Sequence, residues 1–307
     1  MNTFELAEKK SLFVSGHRMC AGCGIPIIVR AVLSVAGKNT VVANATGCLE
    51  VASTIYPTSA WNVPWIHNTF ENAAATLSGA ESAYQFMKKK GKIKEKINFI
   101  AFGGDGGTYD IGLQSLSGAL ERKHNFLYVC YDNEAYMNTG NQRSSATPLG
   151  SATSTTPAGS VKPGKEIVRK NLTEIAAAHN LEYVAQASAF NLVDLTNKVK
   201  KALDCEGPSV ITVLEPCPTN WGFPTDMTVQ IAKLAAETCF WSLYEIEDGK
   251  YKVTYKPREK KPIEEYLKLQ KRFAHLFKPQ NKGLLEKIQK DVDKNWEILL
   301  KKEKDSQ

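Results

Sequence analysis

Ile97-Asn98-Phe99-Ile100-Ala101-Phe102-Gly103-Gly104-Asp105-Gly106-Gly107 is the stretch on which the architecture turns. Six mostly apolar residues run into a turn of four glycines around one aspartate, the pattern of a buried strand ending in a loop whose backbone can approach a phosphate. Residues 110–121 then read as a helix and residues 126–131 as a second buried strand, which makes a βαβ unit with its loops at one edge. Asn133 follows that strand, with 26 residues between it and Gly106.

The same alternation extends both ways. Upstream, residues 25–35 read as a helix with Pro26 in its first turn, residues 40–44 as a strand ending at Thr46-Gly47-Cys48, and residues 70–90 as an Ala-rich helix closed by Gly91. Downstream, residues 138–164 carry many Thr, Ser, Gly and Pro and read as a long loop. Helix 172–179, strand 182–186, helix 191–205 and strand 209–214 follow. The expected fold class is α/β: a mostly parallel open sheet flanked by helices over residues 1–247, with a mostly helical, basic extension over residues 248–307 that is expected to contact a neighbouring subunit. Ligands bind such sheets at the carboxyl ends of the strands. Cys48, Asp105, Asn133 and Cys217 all fall at such ends.

Bulk properties narrow the class. At 307 residues with 43% apolar and 23% charged side chains, the composition is that of a soluble globular protein. No apolar run approaches the roughly 18–20 residues that span a bilayer, so no membrane span is expected. Residues 1–13 lack a charged region leading into an apolar one, so no cleaved signal is expected either. Seven cysteines, an odd number, fit a reducing compartment, and the expected location is cytoplasmic. Residues 248–307 hold 17 Lys/Arg against 10 Asp/Glu, which accounts for the whole net charge of +7. These charges alternate in sign and interleave with Tyr266, Leu267, Phe273, Leu276, Leu284, Leu285, Ile288 and Trp296. That pattern describes amphipathic helices lying on the body or on a partner subunit, not a nucleic-acid surface.

The turn after the first quoted strand has the parts of a diphosphate–metal site. Asp105 offers a carboxylate, Asn133 an amide oxygen and Ala135 a backbone carbonyl, hard oxygens of the kind Mg²⁺ prefers, while Gly104 and Gly106 free the backbone around a phosphate. Two nucleotide motifs are excluded. No Gly-x-Gly-x-x-Gly follows a strand, and in Gly159-Ser160-Val161-Lys162-Pro163-Gly164-Lys165-Glu166 a glutamate replaces the Ser/Thr of a P-loop. Among the cysteines, Cys130, Cys205 and Cys239 read as packing residues. Cys20 and Cys23 form a Cys-x-x-Cys pair between glycines, and Cys48 and Cys217 lie on turns. Four such thiolates could hold zinc or an iron–sulfur cluster, and a thioredoxin-like redox pair is a third reading.

These residues resemble a known family, the 2-oxoacid:ferredoxin oxidoreductases, and the chain is similar to their thiamine-binding β subunit, most of all in the pyruvate-oxidising members. The likeness covers nearly the whole chain, to about Pro279. It rests on Gly16-His17-Arg18-Met19-Cys20-Ala21-Gly22-Cys23-Gly24, Ala45-Thr46-Gly47-Cys48, Val63-Pro64-Trp65-Ile66-His67, Gly104-Asp105-Gly106-Gly107-Thr108-Tyr109-Asp110-Ile111-Gly112 and Tyr131-Asp132-Asn133-Glu134-Ala135-Tyr136-Met137-Asn138-Thr139-Gly140. The resemblance implies thiamine diphosphate near Thr46, Gly47, Gly104 and Gly106. It implies Mg²⁺ on Asp105, Asn133 and the Ala135 carbonyl, a 4Fe-4S cluster on Cys20, Cys23, Cys48 and Cys217, and Asn138 facing the substrate. The activity it implies is coenzyme A-dependent oxidative decarboxylation of pyruvate, or of another 2-oxoacid or oxalate, with electrons passing through the cluster to ferredoxin. The partners it implies are an α subunit that supplies the glutamate activating thiamine, and ferredoxin-like γ and δ subunits. A non-redox thiamine decarboxylase with a structural metal, and a metal scaffold without catalysis, are the rival readings. His67 reads as a structural histidine.

Overall fold

The strand Asn98–Gly104 lies near the middle of an eight-stranded sheet. Its strands are β1 (Thr40–Ala45), β2 (Trp65–Asn68), β3 (Asn98–Gly104), β4 (Leu127–Asp132), β5 (Tyr183–Ser188), β6 (Ser209–Leu214), β7 (Leu243–Glu247) and β8 (Lys250–Tyr255). The order across the sheet is β2-β1-β3-β4-β6-β5-β7-β8. The first six run parallel, and β7 and β8 are antiparallel to their neighbours. This computed structural model describes Glu5 and residues 8–306. The reading of residues 1–13 as lacking a leader therefore falls partly outside the described residues.

Alternation along each strand divides the core, because successive side chains point to opposite faces. Val42, Ile100, Phe102, Val129 and Ile211 pack on one face beneath the helices Ile25–Ala36 and Leu192–Asp204. Ala43, Ala101, Tyr128 and Cys130 pack on the other beneath Ala73–Lys89 and Leu113–Glu121. Asn171 and Asn191 start two of the downstream helices by accepting hydrogen bonds from the backbone N–H of Glu174 and Asp194. The result is the expected α/β architecture with an open, mostly parallel sheet.

Three features differ from the sequence reading. Helix 110–121 is split: a π-helical turn, Gly106–Ile111, precedes Leu113–Glu121. Side chains at Gly106 and Gly112 would meet the Tyr136 ring and the Gly107 carbonyl, so the wide turn depends on their absence. The four-residue strand β2 is added at one edge. At the other edge, the 247/248 boundary falls in the turn of a hairpin whose Asp248 and Gly249 both have positive φ. The extension therefore contributes β8 to the sheet before it becomes helical. Its apolar face lies on this chain's own body, with Tyr266, Leu267, Phe273, Leu276, Ile288 and Val292 packed around Trp221 and Trp241. Among the described helices none is long and apolar enough to cross a membrane.

Candidate functional site

Parallel register brings the singled-out residues to one edge. Gly104 pairs with Tyr131, and Asp132 with Leu214. Asp105, Asn133 and Glu215 are therefore the first residues beyond three adjacent strand ends, and Thr46 is the first beyond a fourth. A cavity of about 160 Å³ opens there. Thr46, Gly47, Gly104, Asp105, Gly106, Asn133 and Ala135 all line it, and Asn138 stands exposed beside them. Larger grooves exist, such as that of about 890 Å³ between Lys123 and Tyr251, but they gather none of these residues.

Two buried groups show what this cavity is built to receive. The Asn133 side-chain oxygen Oδ1 is buried and accepts no hydrogen bond from the protein. An unsatisfied buried acceptor costs free energy, so it calls for a donor or a cation. Burial, then the neighbouring Asp132 charge, push the Asp105 carboxyl well above the usual carboxylate range, against a hydrogen bond from Ser144 and the Arg169 charge. A divalent cation between these oxygens would relieve both. The walls are close: a Cβ at Gly47 would stand 2.9 Å from the Tyr131 hydroxyl, and one at Gly106 2.5 Å from the Tyr136 ring. Glycine at these two positions therefore lets the backbone pack directly against the two tyrosines that line the cavity.

The four expected cysteines gather on the same edge. Cys20, in the turn before helix Ile25–Ala36, is exposed, and Cys23, Cys48 and Cys217 are half-buried. Burial, then the Glu215 charge, raise the thiols of Cys23, Cys48 and Cys217, the last to about 12. Cys217 and Cys48 also raise Cys23, and Cys20 raises both Cys48 and Cys217, so each of the four lies within the field of at least two others. Coordination to a cation inverts this repulsion and holds the thiolates deprotonated. Among the described residues, no group of three or more His, Cys, Asp or Glu side chains is already arranged to hold a metal ion. Cys130, Cys205 and Cys239 are buried in the body.

Residues the sequence reading passed over hold this edge together. Glu215 accepts hydrogen bonds at Oε1 from the Gly24 N–H at 2.8 Å and from Cys23 Sγ at 3.5 Å, and it also bonds the Asn133 side chain. Burial pushes its carboxyl up to about 8. One carboxylate thus ties the Cys-x-x-Cys turn to the candidate metal loop. Buried Asp132, Glu134 and Arg272 form an ion network with the half-buried Arg169 behind that loop. His67 stands at the rim, with Nε2 2.8 Å from Thr46 Oγ1 and its ring stacked on Trp65. The strand-end position of Glu215, two residues before Cys217, was its only sequence signal.

Residues 45–213, which carry the cavity, match the family model of the thiamine pyrophosphate enzyme, C-terminal TPP binding domain. Fold and cavity together are those of a thiamine diphosphate enzyme. The chain is 55% identical, over 96% of its length and 93% of the relative's, to the pyruvate synthase subunit PorB of Thermotoga maritima. It is 54% identical to the same subunit of Methanocaldococcus jannaschii, over 95% of this chain and 97% of the relative. It is also 44% identical to the ketoisovalerate oxidoreductase subunit VorB of Pyrococcus abyssi, over 94% and 92% of the two chains. Among solved structures, a 2-oxoglutarate:ferredoxin oxidoreductase from Magnetococcus marinus shares the fold, with TM-score 0.58 and 22% identity over 69% of this chain and 70% of that chain. The chain belongs to the thiamine diphosphate-binding subunits of the 2-oxoacid:ferredoxin oxidoreductases, and it is one part of a multi-subunit enzyme.

Proposed function

We propose that this subunit carries the oxidative decarboxylation of pyruvate to acetyl-CoA and CO₂, with coenzyme A as co-substrate and a ferredoxin as electron acceptor. The observation that carries this reading is the orphaned Asn133 Oδ1 beside the buried Asp105 carboxylate, on the same sheet edge as Cys20, Cys23, Cys48 and Cys217. Asp105, Asn133 and the Ala135 carbonyl would hold Mg²⁺, and the backbone at Gly47, Gly104 and Gly106 would face the cofactor diphosphate. Cys20, Cys23, Cys48 and Cys217 would hold a 4Fe-4S cluster. Asn138, exposed at the cavity mouth, would face the 2-oxoacid. Bound thiamine diphosphate supplies the nucleophilic carbon and electron sink for decarboxylation, and a cluster supplies one-electron acceptance. The protein's share is positional: Glu215 holds Cys23 and Asn133 in one frame, and Ser144 orients the Asp105 carboxylate.

The site is open at Asn138, which suits an α subunit that closes the cavity and brings the activating glutamate; ferredoxin-like γ and δ subunits would take the electrons onward. Seven free cysteines, four of them on this edge, suit a reducing cytoplasm. The 44% likeness to a ketoisovalerate oxidoreductase subunit keeps branched 2-oxoacids as a second substrate class. Anaerobic purification with iron, sulfide and zinc analysis is the test, followed by assays of pyruvate and branched 2-oxoacids with the α subunit present. About four iron and four sulfide per chain are expected; zinc without sulfide overturns the redox reading.

A further inference from the structure

Glu134 lies between the two candidate metal ligands Asn133 and Ala135, and it does not face the cavity. It is fully buried with φ +68°, a left-handed conformation that glutamate rarely adopts and that surrounding structure must impose. Arg169 donates from Nη1 to its Oε1 at 2.7 Å, and Arg272 donates from Nη2 to its Oε2 at 2.6 Å. The same Arg169 donates to Asp132, whose other oxygen accepts the Glu134 N–H at 3.1 Å. Thr147 donates to the Glu134 carbonyl at 2.6 Å. Arg272 has a second route to the loop. Its guanidinium lies 3.6 Å from the centre of the Trp221 ring, and the Trp221 indole N–H donates to the Asn133 carbonyl at 2.8 Å.

A buried carboxylate taking one guanidinium on each oxygen is fixed in direction as well as charge. Arg169 comes from the end of the long loop, and Arg272 from a 3-10 turn of the C-terminal extension. We propose that Glu134, clamped by Arg169 and Arg272, is the positioning residue that aims the Asn133 side chain and the Ala135 carbonyl at the cofactor metal, so that the C-terminal extension is a structural part of the cofactor site. This rests on the metal reading of Asp105 and Asn133 given above. Its consequence is specific: weakening the clamp changes how much Mg²⁺ is needed to retain thiamine diphosphate, more than it changes the reaction once both are bound.

The test uses the assembled complex of this subunit with its partners, with Glu134→Gln and Arg272→Lys variants. Gln keeps shape but loses charge; Lys keeps charge but loses the fork and the planar stack on Trp221. Mg²⁺-dependent thiamine diphosphate binding is measured by equilibrium dialysis, beside thermal unfolding and the visible spectrum. The expected result is a rise of about ten-fold or more in the Mg²⁺ concentration for half-saturation, full cofactor stoichiometry at high Mg²⁺, and an unchanged visible spectrum. Wild-type Mg²⁺ dependence in a folded Glu134→Gln variant overturns the inference, and so does a loss of stoichiometry that no Mg²⁺ concentration restores. Should Glu134→Gln fail to fold, Arg272→Lys decides by the same readout. Asp105→Ala separates the two readings: if it binds thiamine diphosphate normally, the metal assignment fails, whereas normal binding in the clamp variants alone sinks only the clamp.

Discussion

Asp105, Asn133 and the four cysteines could be found from sequence because each is marked by its neighbours: glycines beside Asp105, a buried strand before Asn133, and glycines or prolines beside the thiols. Glu215, Glu134, Arg169 and Arg272 could not. Their partnerships join residues as far apart as Glu134 and Arg272 or Cys23 and Glu215, and no local pattern announces an ion pair across such a separation. Asn133→Ala removes the orphaned oxygen, and we expect thiamine diphosphate affinity to fall by about 100-fold or more in Mg²⁺-dependent titrations. Cys217→Ser should leave that affinity intact while iron and sulfide content drop, as measured on anaerobically purified protein.

At the scale of elements, the parallel strands and their crossover helices were legible because their apolar runs and turn glycines agree. The β7–β8 hairpin was passed over although Asp248-Gly249 is a hairpin signal, because residues 248–307 read as one mostly helical, amphipathic extension. The hairpin is held by Glu245, which accepts from Tyr183 at 2.8 Å and Lys201 at 3.0 Å and pairs with Lys252. The Lys201 hydrogen bond and the others outweigh burial and hold its carboxyl below the usual value of 4.5. Its stabilising contribution is therefore present above about pH 4.5 and lost as pH falls through the lower folded value. Glu245→Gln should lower stability by about 1 kcal/mol at pH 7 and by less near pH 3, read from chemical denaturation at both values. In the π-helical turn, Gly106→Ala puts a methyl 2.5 Å from the Tyr136 ring. A cost of about 1–3 kcal/mol and weakened cofactor binding should follow, measured by thermal unfolding and dialysis.

The basic extension gave a correct pattern and an incomplete placement. Its amphipathic periodicity was visible in Tyr266, Phe273, Leu276 and Ile288, but periodicity does not say which surface the apolar face covers. That surface is this chain's own body, around Trp221 and Trp241. Phe273 is fully buried there. Phe273→Ala should cost about 3–5 kcal/mol by denaturant titration. It should also loosen the neighbouring Arg272, so cofactor retention ought to fall along with stability.

The strand order carries a consequence for how the chain is made. Strand β4 ends at Asp132, and its outer neighbour in the sheet is β6, which begins only at Ser209; β5 is synthesised between them but sits one place further out. On the ribosome, about 80 residues must follow before that inner edge can be covered, some 4–16 seconds at ordinary elongation rates. Throughout that interval β4, every residue of which is buried in the finished sheet, presents an open edge of the kind that pairs with other chains. The polar loop that precedes β5 is thus also a delay, and a nascent-chain chaperone is expected to engage the protein most strongly while residues 133–208 are being added.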